Sequence, residues 1–99
     1  MLSRIPFDVV PKMKHAGPDT LAAIAPLLQR LRAQPGLVER TPGCFYRKST
    51  AFLHFHDDPT GLWADVKLQP RGFTRLRAGD AAEQDALVAA VQACLATTR

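Results

Sequence analysis

Ala51-Phe52-Leu53-His54-Phe55-His56-Asp57-Asp58-Pro59-Thr60-Gly61-Leu62-Trp63-Ala64-Asp65-Val66-Lys67 decides the fold of this chain. Asp58-Pro59-Thr60-Gly61 has the chemistry of a tight reversal: an acceptor side chain, a preset φ and a permissive glycine. The runs on either side read as two strands of one hairpin. A loop from Asp58 to Gly61 pairs Asp57 with Leu62. His56 then faces Trp63, Phe55 faces Ala64, His54 faces Asp65, Leu53 faces Val66 and Phe52 faces Lys67. Successive strand side chains point to opposite faces. Leu53, Phe55, Ala64 and Val66 therefore form an apolar face. Phe52, His54, His56, Trp63, Asp65 and Lys67 form the other. A slip of one residue would mix the two sets, so the pattern selects its own register.

The neighbouring segments extend this hairpin. Thr74 to Ala78 reads as a further strand after the Gln69-Pro70-Arg71-Gly72 turn. If its Leu76 packs with Val66, Arg75 and Arg77 join Lys67 and Asp65 on the polar face. Cys44 to Lys48 reads as the preceding strand, with two registers open: one sends Phe45 and Arg47 to the polar face, the other Tyr46. Upstream, Leu21, Ile24, Leu28 and Leu31 recur at helical spacing behind Pro18. Pro26 lies inside that pattern and predicts a kink, because it removes one backbone bond while the stripe continues in phase. Downstream, Asp80 and Glu83 form a capping-box start, followed by the stripe Leu87, Val88, Val91, Cys94 and Leu95. The expected fold is α+β: helix, an antiparallel meander of three to four strands, helix, with both helices on one face of the sheet.

Composition agrees with an ordinary globular domain. The chain has 99 residues, 46% hydrophobic and 22% charged, the size of one domain. Residues 1–17, with Pro6, Pro11, Gly17 and the short Val9-Val10 run, read as an arm or a brief edge strand. Residues 18–99 read as the single domain. No apolar run reaches the roughly 20 residues of a membrane span, so no membrane partner is expected. The first residues lack a secretory apolar stretch, and Cys44 and Cys94 lie outside any C-x-x-C pair. The expectation is a cytoplasmic protein with both cysteines as thiols. The formal charge of +4 fits an anionic partner and also a plain soluble surface.

Function, on this reading, lives on the sheet face turned away from the helices. Phe52, His54, His56, Trp63, Asp65, Lys67, Arg75 and Arg77 are the candidate binding residues. Aromatics beside arginines are the types enriched where proteins make contacts. The face reads first as a binding or interaction module, closed by a homodimer mate or an anionic ligand. Nucleic acid is a second reading, with Lys67, Arg75, Arg77 and Arg47 on phosphates and Trp63 and Phe52 stacking on bases. A metal-dependent enzyme is a third. His54 and His56, two apart on a strand, point the same way and could share one ion, with Asp65 as ligand or orienter. Against it, His15 is remote in sequence, and Lys67 and the arginines would repel a cation. No cofactor and no catalytic residue is assigned: a His54–Asp65 pair needs a nucleophile, and Ser49, Thr50 and Thr60 have turn roles.

The stretch from Leu37 to Leu68, through Gly43-Cys44-Phe45-Tyr46-Arg47, Ala51 to Asp58 and Ala64-Asp65-Val66-Lys67-Leu68, resembles two sets of bacterial domains. One is the MmcQ/YjbR-like group, with helix, antiparallel sheet and closing helix. The other is the small "luciferase-like" domain, with a comparable His-x-His strand and Asp-Val strand. The resemblance covers that stretch by motif and most of the chain by element order. The longer segment that both carry before the last helix is replaced here by Gln69 to Gly79. Similarity to the first group implies a DNA-binding role, and neither group implies a catalytic set.

Overall fold

The computed structural model of the chain describes residues 14–97. The first thirteen residues of the expected arm, Val9-Val10 included, lie outside the described residues. The elements run β1 (Lys14–His15), α1 (Pro18–Ala23), α2 (Ala25–Arg32), β2 (Leu37–Thr41), β3 (Cys44–Arg47), β4 (Thr50–Asp58), β5 (Gly61–Val66), β6 (Thr74–Arg77) and α3 (Ala81–Thr97). The architecture is the expected α+β arrangement, with more strands than expected. The antiparallel sheet follows the order β2-β3-β4-β5-β6, and β1 pairs β4 beside this path.

The expected helix is divided where Pro26 predicts a kink. Ile24 leaves helical geometry at φ −107° and ψ 24° between α1 and α2. Proline has no N–H to give the carbonyl four residues back, and its ring crowds that carbonyl. At the other end of the chain the capping box forms reciprocally. The Glu83 amide donates to Asp80 Oδ1 at 2.8 Å, and Glu83 Oε1 accepts from the amides of Gly79 and Asp80. These bonds satisfy donors that a helix start otherwise leaves without partners.

Strand β2 is absent from the sequence expectations. Val38 is exposed and Glu39-Arg40-Thr41 is polar, so the segment carries little alternation. It is held from outside. Arg32 at the end of α2 donates to both Glu39 carboxylate oxygens, and the Gly43 amide donates to Glu39 Oε2 at 2.8 Å. Gly43 turns β2 into β3 at φ +78°, and a Cβ there would meet Leu21 Cδ2 at 2.7 Å. Any other residue there would strain the left-handed backbone and push the Leu21 side chain aside.

The central hairpin has the expected register, with Leu53↔Val66, His54↔Asp65, Phe55↔Ala64, His56↔Trp63 and Asp57↔Leu62. On β6, Leu76 stands opposite Ala64 rather than Val66, which places Arg75 opposite Asp65 and Arg77 opposite Trp63. A shift of two residues keeps every side chain on its expected face. Phe45 is 1% exposed, so β3 turns Phe45 to the core. Arg40 instead covers Tyr46, its guanidinium 4.7 Å from the ring.

Phe52 corrects the expectation for the polar face. Phe45 pairs with Leu53 and Tyr46 with Ala51, which leaves Phe52 as the extra residue of a β-bulge. The bulge interrupts alternation, and Phe52 joins the core at 3% exposure. It lines a cavity of about 380 Å³ together with Leu68 and Cys94. The core is one cluster, in which Leu27, Leu28 and Leu31 of α2 and Leu87, Val88 and Val91 of α3 meet Leu53, Phe55, Ala64 and Val66 of the sheet. Cys44 and Cys94 are both thiols.

Candidate metal centre

The other face of β4 carries the histidines. His54 and His56 project from alternate positions of one strand. The short strand β1 lies against the far end of β4, with Lys14 opposite Asp57 and His15 opposite His56. The Ala16 amide donates to the Phe55 carbonyl at 3.1 Å and continues this pairing. His15 therefore completes a group of three. The ring centroids are 4.9 Å apart for His54–His56, 5.2 Å for His15–His56 and 5.5 Å for His15–His54. One nitrogen from each ring lies within 4.8 Å of the other two. His15 is exposed, and His54 and His56 are half-buried. No Cys, Asp, Glu or further His joins the three within that distance among the described residues.

Asp65 stands beside this triangle and is 7% exposed. Arg75 grips it with two parallel bonds, Nε to Oδ1 at 2.7 Å and Nη2 to Oδ2 at 2.9 Å. Asp65 Oδ2 also lies 2.8 Å from His56 Nε2. That approach has ion-pair distance without the alignment of an N–H···O bond, and His56 Nε2 counts as unpartnered along with the Nδ1 atoms of His54 and His56. A buried nitrogen without a partner costs about 1–3 kcal/mol. Burial pushes the Asp65 carboxyl up, but the Arg75 fork and the nearby imidazoles outweigh it and hold the group below the usual carboxylate range. Burial, and then the neighbouring His56, push His54 below the ordinary imidazole value, while Asp65 pulls the other way. Both effects favour a neutral His54 beside an ionised Asp65.

The remaining candidates divide into two groups. Phe73, 46% exposed, sets its ring edge-on to His54 at 5.3 Å and has the Lys67 ammonium 5.8 Å from its centroid. Lys67 thus reaches the ring that borders His54. Trp63 and Arg77 form a separate pair near the hairpin turn. The Arg77 guanidinium lies 4.2 Å from the Trp63 ring and donates to the Thr60 carbonyl, while Trp63 Nε1 donates to Thr60 Oγ1. Phe52 has no place in the site. The arginines expected to repel a cation are engaged, Arg75 with Asp65 and Arg77 with Trp63 and Thr60.

Sequence reasoning set His15 aside as remote in sequence and omitted Phe73. Phe73 was readable, since positions 73, 75 and 77 fall on one face by period two. His15 was not, because nothing local announces which strand a two-residue segment will join. Comparison with protein-family models, with curated proteins and with solved structures returns no match.

Proposed function

We propose that this chain is a transition-metal-binding domain whose centre is His15, His54 and His56. The triangle of imidazoles carries the reading. Around a tetrahedral ion with metal–nitrogen bonds of about 2.0–2.1 Å, ring centroids stand about 5.2 Å apart. The three separations here are 4.9, 5.2 and 5.5 Å. The ligand nitrogens lie within 4.8 Å of one another, against roughly 3.3 Å between atoms bonded to one tetrahedral ion, so binding turns the imidazoles inward.

The surroundings support the same reading. Three neutral imidazoles suit zinc, copper, nickel or iron(II). An ion would give the unpartnered Nδ1 atoms of His54 and His56 a ligand bond, leaving His56 Nε2 to Asp65. Asp65 beside His56 supplies the carboxylate that commonly orients a ligating histidine. Three protein ligands leave a coordination position open, as in zinc centres that act on substrates rather than those that only brace a fold. The homodimer reading of this face leaned on Phe52 and Trp63, and the nucleic-acid reading on those two with Lys67, Arg47, Arg75 and Arg77. Phe52 is in the core, Arg75 is bonded to Asp65 and Arg77 covers Trp63, which makes the histidines the more distinctive chemistry of the face.

Titration of metal-stripped full-length chain with Co²⁺ tests the proposal. The expected result is saturation at one ion per chain with visible d–d absorption, competed by Zn²⁺. Replacing His54 or His56 by Ala should weaken binding more than tenfold. Binding that leaves no visible band, or that is indifferent to both substitutions, would refute it.

A further inference from the structure

Resting on the metal-centre reading, we infer that the open coordination position takes a small oxyanion, a carboxylate or phosphate group, with Lys67 and Phe73 as its protein contacts. The charge inventory of the face leads there. The three imidazoles bring no negative charge to a divalent ion. Asp65 is the acidic side chain beside them, and the Arg75 fork already neutralises it. Asp57, at the far end of β4, accepts the Thr20 hydroxyl at 2.7 Å, and Asp58 is tied into its own turn by Thr60. An ion here keeps most of its double charge, and the partner it lacks is an anion.

The walls of the site sharpen the ligand class. Phe73 lies edge-on to His54 and reaches solvent, and the Lys67 ammonium lies over that same ring. An anion on the ion beside His54 therefore has the Phe73 ring as its neighbouring surface and the Lys67 ammonium against that same ring. Lysine is a flexible point charge that follows an anion by rotating its stem. The ring favours a ligand whose charged end carries an apolar body. An aryl or alkyl carboxylate meets both conditions better than a bare inorganic anion does.

Full-length protein loaded with Co²⁺ tests this, with acetate, benzoate and inorganic phosphate as probes and the d–d spectrum as readout. The expected result is a saturable spectral change with each probe, with benzoate binding several-fold tighter than acetate. Lys67→Ala should weaken all three about three- to tenfold. Phe73→Ala should erase the preference for benzoate and leave acetate in place. Both side chains lie outside the core, so both variants should fold and take up Co²⁺. A Co²⁺ spectrum that no probe changes, or affinities that neither substitution alters, overturns the anion site and leaves the metal centre standing. Failure to take up Co²⁺ at all overturns both.

Discussion

His15 and His56 face each other across the β1–β4 pairing with their rings 5.2 Å apart, although one belongs to the segment before the first helix and the other to the central strand. An ion held between them ties that segment to the sheet. Metal should therefore stabilise the fold as well as occupy a site. At a free Zn²⁺ concentration one hundred times the dissociation constant, linkage gives about 2.7 kcal/mol. Thermal unfolding with and without Zn²⁺ should show that rise in Tm. His15→Ala should abolish most of it while leaving the metal-free stability within about 0.5 kcal/mol of the parent, because His15 is exposed.

Asp65→Asn separates orientation from ligation. The amide keeps the shape but loses the charge that Arg75 and His56 face. Metal affinity should fall about 10–100-fold, the usual effect of removing a carboxylate behind a ligating histidine. Calorimetric titration reads it. An unchanged affinity in a folded variant would show that Asp65 serves the sheet alone.

Acid should destabilise the metal-free protein in two separable stages. His54 is depressed by burial and by His56, so the unfolded chain takes up its proton at a pH where the folded chain does not. Stability contributed by neutral His54 is complete above the ordinary histidine value of about 6.5 and is lost as pH falls toward the folded value. Asp65 and Glu39 are depressed too, Glu39 first by Arg32, with burial opposing and the Gly43 amide adding to the effect. Their contributions are present above the ordinary carboxylate range of about 4 and are lost below it. Urea unfolding from pH 8 to pH 3 should fall in both windows. His54→Gln should flatten the upper one only.

Phe52 tests the bulge. A phenylalanine on the polar face would tolerate truncation, whereas a core phenylalanine does not. Phe52→Ala should cost about 3–5 kcal/mol of stability, read by urea denaturation. In the fraction that remains folded, metal affinity should match the parent, because the ring is on the helix side of the sheet.

The hairpin from Ala51 to Lys67 was legible because both its faces were spelled out by alternation and its turn by chemistry. Cross-strand partners such as His54 with Asp65 then followed from counting. The arginines of β6 kept their face despite a register shifted by two, since strand period two absorbs any even shift. Strand β2 was less legible. Its apolar content is slight, and its place rests on the Arg32–Glu39 pair and the Gly43 turn. The Pro42-Gly43 dipeptide was the local signal for it. Phe52 was misplaced for the converse reason: alternation holds until a bulge breaks it, and the bulge lies between Ala51 and Leu53 in the β3–β4 pairing.

Periodicity and turn residues along the chain determined the α+β order, the capped last helix, the kink at Pro26 and the pairing of the two central strands, all of which depend on neighbours a few residues apart. Tertiary structure alone decided that His15 completes the histidine triangle, that Arg75 is spent on Asp65, and that Phe52 turns inward. The first rests on strands meeting across a long stretch of chain, where the contact is set by which edge remains open for pairing; the other two rest on the register of β5 with β6 and on a bulge between β3 and β4, which alternation along one strand does not encode.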